Sequence, residues 1–183
     1  YRYMEADQSW IETFVESPAG TQDVLATGAD SRAEIFFPNN IALRLDETAE
    51  MEILSLDDDG GSFILHKGQA RFYNRSMAGR LTVETVQGLT RVAPGSIVDM
   101  RADGESVVVA AVLGEATFQS FNNDIEKVEV ISGSTSLEIH EDGIVAGVSP
   151  IDRKWDRWCT DRESAWSRNR MVRSEYLPET MQD

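Results

Sequence analysis

At 183 residues, with Lys+Arg 17 against Asp+Glu 32 and a net charge of -15, the chain lacks the cationic face that a phosphate-backbone or anionic-lipid binder needs. No apolar run reaches the roughly 18 residues of a membrane span, and no charged-then-apolar leader is visible. The single Cys159 excludes an internal disulfide and a thiolate metal site. The length suits one domain, or a domain with an appendage, and is enough to bury a sizeable core.

Along the first 20 residues, Trp10-Ile11-Glu12 and Thr13-Phe14-Val15-Glu16 read as one or two strands, broken by Pro18 and Gly20. Asp23 to Gly28 reads as a strand, and Ala29-Asp30-Ser31 as a polar turn. Ala33, Ile35 and Phe37 then alternate with Glu34 and Phe36. Pro38-Asn39-Asn40 has turn composition, and Leu43 and Leu45 share a face opposite Arg44. Met51 and Ile53 alternate with Glu52 and Leu54 up to a loop or hairpin tip at Asp57-Asp58-Asp59-Gly60-Gly61.

Phe63-Ile64-Leu65 runs to Gly68, and Ala70 to Tyr73 follows. Leu81, Val83 and Thr85 alternate with Thr82 and Glu84; Gln87-Gly88 turns the chain into Thr90 to Ala93. Ser96 to Arg101 leads to Asp103-Gly104, a strong hairpin signal. Ser106 to Val112 is nearly all apolar and predicts a strand buried on both faces. Val128 to Ser132, Gly133-Ser134 and Leu137 to Ile139 predict a last hairpin, and Ile144 to Val148 ends the β part.

Three of these hairpin patterns recur, beginning at Ala33, Leu81 and Glu129, a constant step of 48 positions. A second element recurs as Lys67-Gly68-Gln69-Ala70-Arg71-Phe72 and Leu113-Gly114-Glu115-Ala116-Thr117-Phe118. The pattern predicts an all-β domain of repeated short hairpins, roll- or solenoid-like, over residues 1–148. A C-terminal helix and tail over 149–183 cap it. Ser149 as N-cap, Pro150 at the first helical position and Asp152 at the third predict a helix over about 150–171. Trp155, Trp158, Cys159, Arg162, Ala165 and Trp166 fall on it at helical spacing.

No nucleophile elbow, phosphate loop, dinucleotide fingerprint or Ser/His/Asp constellation is legible, and no cofactor is expected. His66 and His140 have no second His or Cys at ligand spacing. Asp57, Asp58 and Asp59 offer oxygen ligands to a calcium ion, but lack the twelve-residue loop and its closing Glu, so a solvated hairpin tip is the plainer account. Asn74-Arg75-Ser76 fits a glycosylation sequon by composition only. Trp155, Trp158 and Trp166 are the candidate interaction set; the alternative is that they pack on the β core.

The stretch from Ala26-Thr27-Gly28 through Ser31-Arg32-Ala33-Glu34-Ile35 resembles the entry motif of FecR-type periplasmic domains. Ala42-Leu43-Arg44-Leu45 with Thr48, Lys67-Gly68-Gln69-Ala70, Leu81 to Thr85 and Val109 to Thr117 are similar to that family's later strands, over about residues 20–148. Trp155 to Glu163 with Tyr176-Leu177-Pro178 resembles the helical stretch that follows this domain in certain bacterial envelope proteins. Val86 and Pro38-Asn39-Asn40 depart from the family's usual Pro and Asp-Gly.

The resemblance implies a non-enzymatic envelope interaction or sensing module, exported to the periplasm or outer membrane, with a protein partner. It implies a variant without the anti-sigma and secretin/TonB-like domains of the namesake regulators, and a signal segment outside the given sequence. Lipid anchoring is left open. The competing expectation is a carbohydrate-binding or hydrolytic β-solenoid protein, which needs acids and aromatics gathered in one cleft.

Overall fold

The computed structural model describes residues 1–4, 7–37, 39–121, 128–133, 135–147 and 152–175. The chain divides into two compact units, Tyr1–Pro150 and Ile151–Asp183. The first is mainly β and the second carries a helix, the all-β class with a C-terminal helix that the sequence predicts.

The strands are β1 (Arg2–Met4), β2 (Ser9–Ile11), β3 (Val24–Ala26), β4 (Ala33–Phe36), β5 (Ile41–Leu45), β6 (Glu50–Asp57), β7 (Gly60–Asn74) and β8 (Arg80–Thr85). They continue as β9 (Gly88–Val92), β10 (Ile97–Ala102), β11 (Ser106–Leu113), β12 (Glu115–Ser120), β13 (Val128–Ser132), β14 (Ser136–His140) and β15 (Gly143–Ala146). They form one open sheet of two wings that share the long strand β7 and do not close into a barrel. In the first wing the order is β2-β1-β3-β6-β7-β8-β9-β12-β13, using β7 up to Lys67. In the second it is β4-β5-β7-β10-β11-β14-β15, using β7 from Gly68 onward. All neighbours are antiparallel except β7 and β8.

The inner faces of both wings meet in a single apolar core. Met51, Ile53, Phe63, Leu65, Val83 and Phe118 come from the first wing, and Leu43, Leu45, Phe72, Val98, Val107 and Val109 from the second; each is buried. Period-two alternation puts these residues on one side of each strand, which is why a pattern such as Leu81-Thr82-Val83 reads correctly. Ser106 to Ala111 is buried without a break, as its apolar run predicts.

The chain fills the wings alternately: β4-β5 in the second, β6 and the first part of β7 in the first, β8-β9 in the first, β10-β11 in the second, β12-β13 in the first, β14-β15 in the second. At the crossings other than that from β7 to β8 a residue with positive φ turns the backbone: Asp30, Thr48, Gly68, Gly95, Gly114 and Gly133. The repeated Gly-x-Ala element is this corner. Gly68 (φ 87) carries β7 from one wing to the other, and Gly114 (φ 74) carries β11 into β12. A Cβ on Gly68 would lie 2.5 Å from Ala49 Cα, and one on Gly114 2.2 Å from Ser96 Oγ, so both corners need glycine for space as well as for conformation.

Some expectations change. The hairpins that begin at Ala33 and Leu81 exist, but in opposite wings. The third is not a hairpin: β13 pairs with β12 and β14 with β11, because Gly133 is a corner rather than a tip. Thr13–Glu16 is not a strand; Ser17 N donates to Phe14 O at 3.1 Å and Phe14 N to Ser17 Oγ at 3.0 Å, closing a turn there. The sequence also misses the short β1.

The helix α1 (Arg153–Glu175) begins later than expected. Asp152 is its N-cap: Oδ1 accepts from Lys154 N at 2.8 Å and Trp155 N at 2.9 Å, and its carbonyl accepts from Asp156 N at 2.9 Å. Ser149 and Pro150, expected to start it, lie outside the described residues, as do Pro38, Ser134 and Tyr176-Leu177-Pro178.

Candidate functional site

The residues of the Thr-Gly entry and the Leu-Arg-Leu return meet one another. Thr27 N donates to Ala49 O at 2.9 Å, Thr27 Oγ1 accepts from Ala49 N at 2.9 Å, and Thr48 N donates to Gly28 O at 3.2 Å. Arg32 Nε pairs with Asp46 Oδ1 at 2.7 Å, and Arg44 with Glu34 Oε1 at 2.6–2.7 Å. These contacts lock the β3–β4 and β5–β6 corners together, so the motif is structural.

Strand register extends the second pair into a row across the second wing, on the face turned from the core: Glu34, Arg44, Arg71, Asp99, Ala110, Ser136. Arg71 grips Asp99 through two hydrogen bonds, Nε to Oδ1 at 2.6 Å and Nη2 to Oδ2 at 2.7 Å. Arg44 also donates to the Tyr73 hydroxyl, and the Arg44 and Arg75 guanidiniums lie 4.7 and 4.8 Å from the Tyr73 ring centroid. Arg44, Arg71 and Asp99 are 1–4% exposed. Two cations balance two carboxylates, the half-buried Glu34 among them, which is what makes the burial of Arg44, Arg71 and Asp99 tolerable.

Among the described residues, the four strands at the ends of the wings pair on one side only: β2 and β13 in the first wing, β4 and β15 in the second. Each carries an exposed large apolar side chain, Trp10 43% and Ile11 38%, Val130 59%, Phe36 46%, and Val145 48%. Edge strands are ordinarily blunted with charge or proline; β4 and β13 carry one glutamate each, Glu34 and Glu129, and β2 and β15 carry neither charge nor proline. Beyond β2, Phe14 and Val15 are exposed as well.

The sequence-selected residues fall apart. Asp57, Asp58 and Asp59 are exposed at the β6–β7 turn, where Asp57 Oδ1 accepts from Asp59 N at 2.9 Å. Among the described residues no group of three or more His, Cys, Asp or Glu is placed to hold a metal ion. Trp155 is fully buried and stacks on Trp158 at 5.4 Å between centroids with 20° between planes; Trp158 and Trp166 are half-buried. Cys159 is buried too. Asn74 of the sequon is buried, with Nδ2 donating to Gly79 O and Val92 O at 2.9 Å each, so it holds the 75–79 loop and has no amide left for a glycan. His66 lies 3.3 Å from Glu52, and His140 3.5 Å from Glu138, each pair isolated on a strand surface.

A pocket of about 310 Å³ opens over β8, β9 and β12, with Arg80, Arg91 and Glu115 as its charged lining. It contains one carboxylate and no aromatic side chain. Nothing in the sequence marks it, because its residues are brought together by cross-strand register.

The FecR protein family model matches residues 23–117, and the chain belongs to that family. Two crystal structures of a putative anti-sigma factor from Parabacteroides distasonis ATCC 8503 are similar to it, each with a TM-score of 0.57 and 16% identity. The match covers 67% of this chain and 58% of that one, and at this identity it is a likeness of fold. A comparison with curated proteins finds no match. Among the described residues no helix is long and apolar enough to cross a membrane.

Proposed function

We propose that this chain is a non-enzymatic interaction or sensing module of a bacterial cell-envelope signalling system, exported to the periplasm or the outer membrane, where it engages a protein partner. The observation that carries this is the set of edge strands β2, β4, β13 and β15, each unpaired on one side among the described residues and each displaying an apolar side chain. Such edges take an added strand, main-chain hydrogen bonds giving affinity and alternate side chains giving choice. Family membership and the fold shared with a putative anti-sigma factor support the signalling context. The single carboxylate and lack of aromatics in the pocket weigh against a carbohydrate-processing cleft.

On the helix, the half-buried Trp158 and Trp166 are the members of the aromatic set still offered to a partner, while Trp155 is committed to the interior. Asp57 to Asp59 we assign to solvent.

The test is capture of partners from the native envelope with the full-length protein. Variants Trp10→Lys, Val130→Lys and Val145→Lys are compared with Trp158→Ala/Trp166→Ala. A partner enriched by the wild type and lost in an edge variant supports strand addition. Loss only in the tryptophan pair moves the interface to the helix. Equal enrichment in every variant, or none with the wild type, overturns the reading.

A further inference from the structure

The pocket over β8, β9 and β12 has a construction that singles out one ligand chemistry. Register places Thr82, Arg91 and Thr117 side by side on the face of the first wing turned from the core. One row further along, Arg80, Ala93 and Glu115 stand side by side; Ala93 N donates to Glu115 O at 3.0 Å. Arg80 and Glu115 therefore rise from backbones two strands apart, about 9–10 Å. The methyl of Ala93 between them is too short to fill the gap. Pro94, Ala78 and Gly79 form the rim, and the floor is the backbone of the sheet, because Leu81, Val92 and Ala116 turn their side chains into the core on the other face.

Arg80 and Arg91 are both exposed at this notch. Among the described residues neither has a carboxylate partner; Arg91 Nη1 donates to the neutral Gln119 Oε1 at 3.0 Å. In a chain of net charge -15, two unmatched guanidiniums beside an apolar rim are a local reversal of the surface potential. A guanidinium presents its N–H groups as a fork that matches a carboxylate. Glu115, on the far wall, repels a second negative charge and so limits the ligand to one.

We propose that this notch binds a monocarboxylate with a short apolar body: the carboxylate between Arg80 and Arg91, the body against Ala78, Ala93 and Pro94. The same chemistry is supplied by a free short-chain acid or by the C-terminus of a peptide ending in small residues. The volume, about 310 Å³, is at the small end of ligand pockets and suits a small ligand or the end of a chain.

The experiment is a titration of the isotope-labelled full chain, followed by amide chemical shifts, with butyrate, with N-acetyl dialanine and with its C-terminal amide. Saturable shifts confined to residues 78–82, 91–94 and 115–117 are expected for at least one carboxylate and for no amide. Which carboxylate binds identifies the source. Arg80→Gln and Arg91→Gln are each expected to weaken binding by up to about fivefold, and Glu115→Gln to strengthen it. All three positions are exposed, so unchanged shifts elsewhere show that the variants fold. Binding of the amide as tightly as of the acid overturns the proposal. So do shifts scattered over the surface, or affinity indifferent to both arginine substitutions.

Discussion

Arg71 and Asp99 show how much a single position can carry. Each is buried, and each satisfies the other through two charge-assisted hydrogen bonds. Removing one partner leaves an uncompensated charge away from water, so Arg71→Ala is expected to destabilise the protein by about 3–5 kcal/mol. Replacing both, as Arg71→Met/Asp99→Leu, removes the desolvation cost along with the attraction and should recover most of that loss. Urea unfolding of the three proteins decides it; a double variant as weak as the single one would show that the pair is worth more than the packing that replaces it. Asp103 is the contrasting case. Its carboxylate caps the β10–β11 turn, accepting first from the Ser106 backbone N–H at 2.8 Å and also from that of Glu105 at 3.1 Å, and this holds its pKa below the usual aspartate value despite some burial. A depressed folded-state pKa adds stability at pH values above the unfolded-state pKa. That stability is lost as the pH falls through the folded-state value. A carboxyl titration of Asp103 is expected to show a midpoint below the ordinary aspartate value, and Asp103→Asn should flatten the acid limb of the stability curve. A normal midpoint would remove the capping argument.

At the scale of elements, the wings are held in register by their corners more than by their turns. Gly68 and Gly104 both have positive φ, 87 and 94. A Cβ on Gly104 meets nothing within 4 Å, whereas one on Gly68 meets the Ala49 backbone at 2.5 Å. Gly104→Ala is therefore expected to cost only the conformational term, about 1–2 kcal/mol. Gly68→Ala should cost distinctly more, because β7 and the β5–β6 corner have to separate. Thermal unfolding of the two variants side by side tests this, and equal losses would mean that the corner yields. The same contrast explains what was legible in the sequence. The alternation of Leu43, Arg44 and Leu45 names two faces correctly, but does not reveal that the Arg44 face is buried as well; that depends on Glu34, Arg71 and Tyr73, which arrive from other strands. The Gly-x-Ala repeat is visible, yet its role as a crossing between wings appears only with the pairings on either side of it. The notch at Ala93 is invisible for the same reason: a small residue matters there only because Arg80 and Glu115 are its neighbours across the sheet.

For the molecule as a whole, the excess of 32 acids over 17 Lys+Arg acts against folding, since like charges on a compact surface repel. The ion pairs that oppose this differ in their response to salt. Arg44–Glu34 and Arg71–Asp99 are buried and little screened, whereas Lys67–Glu50 and Arg32–Asp46 are exposed or half-exposed and weak in any case. The repulsion among exposed carboxylates is the long-range part, and it fades as the Debye length shrinks from about 30 Å at 0.01 M salt to about 3 Å at 1 M. Added sodium chloride should therefore raise the melting temperature between these limits, although salt bridges by themselves would predict a fall. A melting temperature that drops with salt would place the net electrostatic stabilisation in the exposed pairs. The same excess charge bears on partner choice. A strand added at β2, β13 or β15 comes up against a surface rich in carboxylates, so a neutral or basic segment is favoured over an acidic one by long-range attraction. That preference should weaken along the same salt series in which the melting temperature rises.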